Sequence, residues 1–225
     1  MSKLSVIIPC AGMGRRMKSY GPKALIPLHN GETVLSRQIK LVRSVYGQVE
    51  IIVIAGFEAE KIKRAVDHNT KVVYNYDFET TNVARSINIG LSVSKCNHTL
   101  IIYGDLVFNT SALINCTSSI SSALVDSKNR FGKSEVGVTL VDGKISTFSY
   151  GLPIKWGQIV YLQGNELKLF KKLLECKNIT KLFGFEILNA MLNDGGILQA
   201  IEPQDLKIAE IDTSKDIEKA QRIVR

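Results

Sequence analysis

Four short runs rich in apolar and β-branched residues, Leu4–Pro9, Val49–Ala55, Lys71–Tyr74 and Thr99–Tyr103, alternate with stretches of helical periodicity in the first half of this chain. Between the first two runs, Val34, Leu35, Ile39, Leu41, Val42 and Val45 recur near helical spacing over Thr33–Val45. Glu58–Val66 reads as a short charged helix and Val83–Val93 as another. A strand without polar alternation is buried on both faces, so this rhythm predicts an α/β fold with a mainly parallel sheet and helices on both sides, the three-layer Rossmann-like arrangement.

After about residue 130 the pattern changes. Glu135–Val141 and Lys144–Ser149 alternate around Asp142-Gly143, a two-residue hairpin signal, and Ile154–Leu162 adds a strand. Helices are expected at Glu166–Leu174 and Lys181–Asn193, short strands at Ile197–Ile201 and Lys207–Ile211, and a last helix at Ser214–Val224. Neither a repeat nor a linker divides the sequence, so residues 1–225 are expected to form a single domain. Its parts would be a core in 1–130, a small mixed β/α elaboration in 131–205 and a closing strand and helix in 206–225.

Several functional classes are disfavoured at this level. The longest unbroken apolar run, Ile51–Ala55, is far shorter than the roughly 18 residues that a spanning helix requires, so no membrane partner is expected. Met1-Ser2-Lys3-Leu4 leads directly into the first strand without the features of a targeting segment, which predicts a cytoplasmic protein. Cys10, Cys96, Cys116 and Cys176 are too dispersed for zinc or dithiol spacing. Lys and Arg number 29 against 21 Asp and Glu, a net charge of +8 that suits anionic partners. The cations are scattered and no recognition motif accompanies them, so phosphorylated small molecules are expected and nucleic acid is not.

The densest chemical signal follows the first strand. Ala11-Gly12-Met13-Gly14 lets backbone N–H groups approach an anion, and Arg15, Arg16, Lys18 and Lys23 add charge suited to a polyphosphate. No GxxxxGK[ST] sequence is present. The dinucleotide fingerprint is incomplete too: Met17 stands in place of its third glycine, and Gly56-Phe57, not an acid, follows the second strand. A Gly-x-Gly alone is equally a tight turn. Gly104-Asp105 closes the fourth run, where a carboxylate at the carboxyl end of a parallel strand can hold Mg²⁺, or serve only as a turn or cap. Glu210 and Asp212 lie two apart on a strand and share a face, so both could meet one metal or cationic group, although Asp212 could also cap the last helix. Asp216, three residues after Thr213, is assigned to capping.

AGMGRRM followed by GPKAL resembles the signature of nucleotidyltransferases of the sugar-nucleotide and MobA-like NTP transferase superfamily, A-G-x-G-x-R-M and then P-K. Cys10 stands where alanine is usual. The resemblance implies the nucleotide-diphospho-sugar transferase type of fold, with the elaboration on the acceptor side. It also implies that Ala11, Gly12, Met13, Gly14 and Gly104 wrap a nucleoside triphosphate and that Arg16 and Lys23 are catalytic contacts to its phosphates, with Arg15 in support. Gly104-Asp105-Leu106 and Glu210-Ile211-Asp212-Thr213 match the family's metal motifs, which makes Asp105 and Asp212 the implied Mg²⁺ ligands and Glu210 a possible acceptor-side residue. Tyr74-Asn75-Tyr76 followed by Thr80–Ser86 resembles the Asn-containing segment of phosphocholine-type cytidylyltransferases, implying nucleotide contacts from Thr81 and Asn82; either is also a plausible helix cap.

The expectation is therefore a Mg²⁺-dependent transfer of NMP from an NTP, CTP by resemblance, to a phosphorylated amino-alcohol, polyol or sugar, with release of pyrophosphate. His29, His68 and His98 lie outside every motif, and a phosphate acceptor, with second pKa near 6, needs no general base. A glycosyltransferase of similar architecture would carry a DxD motif where this chain has Gly104-Asp105-Leu106-Val107. A non-catalytic nucleotide-binding module would have no need to keep Lys23, Asp105 and Asp212 together. Trp156 and Tyr161 are candidates either for an acceptor pocket with a cationic head group or for the core.

Overall fold

The computed structural model describes residues 4–14, 17, 21–129, 132, 134–176 and 179–224. The elements run β1 (Leu4–Cys10), α1 (Val34–Tyr46), β2 (Glu50–Ala55), α2 (Ala59–Arg64), β3 (Thr70–Tyr74), α3 (Val83–Val93), β4 (His98–Ile102), β5 (Leu106–Phe108), β6 (Ser122–Asp126), β7 (Val136–Val141), β8 (Lys144–Tyr150) and β9 (Ile154–Gln163). They continue with α4 (Gly164–Leu174), α5 (Gly184–Asn193), β10 (Gln199–Ile201), β11 (Ile208–Glu210) and α6 (Ser214–Val224).

Among the described residues nine strands form one sheet in the order β3-β2-β1-β4-β9-β6-β10-β8-β7, and β7 pairs again with β9. The first four pair in parallel. β9 then enters antiparallel between β4 and β6, while β6 and β10 are parallel neighbours. Only β8 and β9 oppose the common strand direction, so the sheet is mainly parallel in direction but mixed in its pairings. The purely parallel pairing pattern ends at β4.

The continuous apolar runs follow from burial on two sides. Ile7, Ile52, Ile54 and Ile101 enter one core with Ala84, Ile87 and Leu91 of α3, Leu167 and Phe170 of α4, and Ile187 and Leu188 of α5. Their neighbours Val6, Ile8, Ile51, Val53, Leu100 and Ile102 enter the opposite core with Leu35, Ile39 and Val42 of α1 and Ile62 of α2. Successive side chains on a strand alternate between faces, and each face here has its own helical layer. α1 begins with a reciprocal cap: Ser36 N donates to Thr33 Oγ1 (3.1 Å) and Thr33 N donates to Ser36 Oγ (2.8 Å).

Two strands were not expected, β5 and β6. β6 is buried throughout despite its short Ser-Ala-Leu-Val-Asp sequence. α5 begins at Gly184, later than the expected Lys181, because the Glu186 carboxylate reaches back to accept from Phe183 N (2.7 Å). β5 and β11 form a separate antiparallel ribbon against which α6 packs through Val107, Ala209, Ile211 and Ala220.

Candidate active site

β1 and β4 end side by side, and the loops leaving them meet. A Cβ on Gly104 would lie 2.5 Å from Cys10 Sγ and 2.7 Å from Pro9 O, so no larger residue fits this crossing without displacement. Gly14 adopts φ +56, a left-handed conformation that returns the loop to within van der Waals reach of the Lys23 stem. Lys23 opens a single 3₁₀ turn, Lys23–Leu25, whose Ala24 is buried in the α1 and α2 core.

The β5–β11 ribbon explains how distant carboxylates converge. Glu210 pairs with Leu106, and Ile211 N donates to Asp105 O at 2.9 Å. Antiparallel pairing thus sets the start of β5 beside the end of β11. The α6 cap fixes the next residue: Asp216 Oδ2 accepts from Thr213 N (2.7 Å), Thr213 Oγ1 (2.9 Å) and Asp212 N (3.2 Å). One ligand oxygen or more from each of Asp105, Glu210 and Asp212 lies within 4.8 Å of the others. Lys23 Nζ donates to Asp212 Oδ1 at 2.6 Å and Asp105 Oδ2 at 3.1 Å.

The electrostatics reflect this crowding. Burial opposes a charged Lys23, but Asp105 and Asp212 outweigh it and hold the ammonium above its ordinary pKa. Burial, then the charges of Asp105 and Asp212, push the Glu210 carboxyl up to about 7, against the pull of Lys155 and Lys23. Burial and Asp105 also raise the Cys10 thiol and Tyr103 phenol, so both stay neutral. Three carboxylates form a hard oxygen donor set, and an ammonium already sits against two of them. That arrangement could hold a divalent cation such as Mg²⁺.

A cleft of about 440 Å³ opens over these residues. Ala11, Gly12, Gly14, Lys23, Thr81, Asn82, Gly104, Asp105, Glu210 and Asp212 line it; Met13 does not. Arg15 and Arg16 lie outside the described residues. Asn82 occupies the N-cap position of α3 without capping it through its side chain, and its amide instead donates to Lys181 O. Asn75, singled out in the sequence without a site role, has a buried amide whose Nδ2 donates to Thr81 Oγ1 and Ser86 Oγ, both at 3.1 Å. Sequence reasoning missed Gln158, Tyr150, Phe183 and Phe185 in the lining. Tyr150 and Phe185 meet edge to face at 5.4 Å, and Phe183 stacks on Phe185 at 6.0 Å. Trp156 lines the cleft as well, edge to face with Tyr103 and Phe148, and its indole N–H has no hydrogen-bond partner among the described residues. Tyr161 is a core residue that hydrogen-bonds His98 and does not line the cleft.

The chain is similar to the "Bifunctional protein GlmU" of Campylobacter fetus subsp. fetus, 32% identical over 143 residues, which are 60% of this chain and 32% of that protein. The protein of the same name from Methanococcus maripaludis is 26% identical over 139 residues, 60% of this chain and 33% of the relative. The chain thus spans about a third of the length of these curated relatives. Among solved structures, the CTP:phosphocholine cytidylyltransferase LicC of Streptococcus pneumoniae superposes with TM-score 0.82 at 15% identity, covering 99% of this chain and 100% of that one. The inositol-1-phosphate CTP transferase of T. maritima gives 0.78 at 16% identity, covering 99% and 96%. These likenesses establish the Rossmann-like α/β nucleotidyltransferase fold. The profile of the MobA-like NTP transferase domain matches residues 6–123, just over half of the sequence and the segment that carries the glycine loop, Lys23 and Asp105. The chain belongs to the MobA-like NTP transferase domain family, within the nucleotidyltransferase superfamily.

Proposed function

We propose that this protein transfers NMP from an NTP, specifically CTP, to a phosphorylated small acceptor and releases pyrophosphate. The observation that carries the reading is the meeting of Lys23, Asp105, Glu210 and Asp212 beneath the glycine loop. The choice of CTP draws support from the two similar structures that act with CTP. Among amino-alcohol, polyol and sugar phosphates, the amino-alcohol class suits the aromatic lining of Tyr150, Phe183 and Phe185, whose π faces attract organic cations. A polyol would ask for many hydrogen bonds. Glu135, a nearby lining residue, already accepts from Lys155 Nζ (2.6 Å) and Gly132 N (2.8 Å).

In this reading the backbone N–H groups of Ala11–Gly14 receive the triphosphate, Lys23 neutralises charge that builds on the leaving pyrophosphate, and Arg16 with Arg15 assists. Asp105, Asp212 and Glu210 would hold Mg²⁺, which supplies further charge neutralisation and orientation of the phosphates. Thr81 and Asn82 face the nucleotide. The acceptor arrives as a phosphate dianion, so the chain has only to align it with the α-phosphorus. Four NTPs tested against amino-alcohol, polyol and hexose phosphates, with pyrophosphate as readout, should give turnover with CTP and the amino-alcohol phosphates. Transfer to free alcohols, or sugar transfer from a nucleotide sugar without pyrophosphate, would favour a different enzyme class.

A further inference from the structure

β9 is asked to pair with three strands at once. Its first residues, Ile154 and Lys155, pair with β7, while residues 159–163 pair with β4. Along β6 the register breaks: Ala123 faces Val160, yet Val125 faces Trp156, so β9 carries extra residues opposite Leu124. Gln158 sits in this bulge with φ 56. Among the described residues it is the one non-glycine residue inside a strand that adopts the left-handed conformation, which a glutamine side chain disfavours.

The conformation has a visible result. Gln158 O accepts from Tyr103 N at 3.3 Å, which ties the bulge to the Tyr103–Asp105 turn. Its side-chain Nε2 donates to Glu210 Oε2 at 2.5 Å. Glu210 is pressed against two other carboxylates, and among the described residues the donor at that oxygen is Gln158 Nε2. Like charges at this separation drive the group to rotate away or to take a proton. An amide donor on one oxygen restrains the carboxylate and leaves its other oxygen available to the triad.

We propose that Gln158 is a positioning residue: the bulge in β9 turns its amide onto Glu210 and thereby fixes the third carboxylate of the cation site. The inference rests on the reading of Asp105, Glu210 and Asp212 as that site. The test is direct binding of Mn²⁺ to the full chain without nucleotide, followed by the loss of the free-ion electron paramagnetic resonance signal. Q158M keeps the length but removes the donor, and Q158G suits the backbone while removing the side chain. Both should weaken Mn²⁺ binding by about 10- to 100-fold, the range for lost partners of metal ligands. Q158G should do so with an unchanged or higher Tm, a split that a purely structural residue would not produce. In an E210Q background, Q158M should have no further effect on Mn²⁺.

The parent reading has its own control, D105N. If D105N binds Mn²⁺ like the unaltered chain, or that chain does not bind at millimolar concentration, the cation-site reading fails. If D105N loses binding while Q158G and Q158M retain it, the role of Gln158 alone is overturned. An undiminished effect of Q158M in the E210Q background also overturns it. Should Q158M fail to fold, Q158G alone and in the E210Q background decides the matter.

Discussion

Replacing Lys23 by methionine removes an ammonium from between two carboxylates while preserving most of the side-chain length. Its contacts are 2.6 Å to Asp212 and 3.1 Å to Asp105, with side-chain exposures of 16% for Lys23, 22% for Asp105 and 38% for Asp212. A hydrogen bond to a charged group contributes roughly 1.5–3 kcal/mol, and the better-exposed Asp212 contact must be discounted for solvent screening to about 1 kcal/mol. The expected loss is therefore about 3 kcal/mol, which for a chain of this size lowers Tm by roughly 6–12 °C. The sign with pH is definite. Because the folded pKa of Lys23 is raised, its contribution is complete below the unfolded value and is lost only as pH rises through the folded one, so the deficit is full at neutral pH. Thermal unfolding in a chelator should show this deficit, and Mg²⁺ should restore more stability to K23M than to the unaltered chain by supplying the missing positive charge. In the proposed reading the lysine also serves the phosphates, so turnover should remain low. Equal stability of the two chains in chelator, or a deficit that Mg²⁺ leaves unchanged, would refute the reasoning.

Three other outcomes are expected. For an acceptor phosphate, kcat/KM should rise through a pKa of about 6 and then level off; a profile that stays flat when the acceptor phosphate pKa is crossed would point away from an ionised acceptor. Phe183→Ala should raise KM for the acceptor and leave KM for CTP unchanged, whereas parallel rises in both would take the aromatic rings out of the acceptor pocket. Remote from the cleft, hydrogen bonding from Arg43, partly opposed by burial, lowers the Asp67 carboxyl to about 2. That pair's stabilisation is present above the ordinary carboxylate pKa and is lost as pH falls through 2, so Asp67→Asn should flatten the acid-unfolding limb between roughly pH 4 and 2, followed by circular dichroism.

Much of the architecture is legible because β1, β2 and β4 are local apolar runs whose burial is written into their composition, and β3, half-buried at the sheet edge, continues their rhythm. β6 is not. Its five residues are buried by partners from β9 and β10, so tertiary pairing outweighs a sequence that begins with serine and ends with aspartate. The antiparallel entry of β9 was likewise invisible, since strand direction depends on how the hairpin β7–β8 folds back and not on β9 itself. At the cleft, the motifs mark Lys23, Asp105, Glu210 and Asp212, and the β5–β11 ribbon brings them together. Gln158 carries no motif, and Asn75 lies in a marked segment that assigns it no role. Their relevance arises from a bulge conformation and from buried amide bonds, neither of which has a signature in residue type.

The central claim concerns which bond to phosphorus is broken and where the NMP goes. CTP labelled at the α-phosphate, incubated with the protein, Mg²⁺ and an amino-alcohol phosphate, measures this directly. The account predicts that label passes into a product containing both CMP and the acceptor, with one unlabelled pyrophosphate released for each transfer. Label retained in CTP, or appearing only as free CMP whatever acceptor phosphate is supplied, would contradict it.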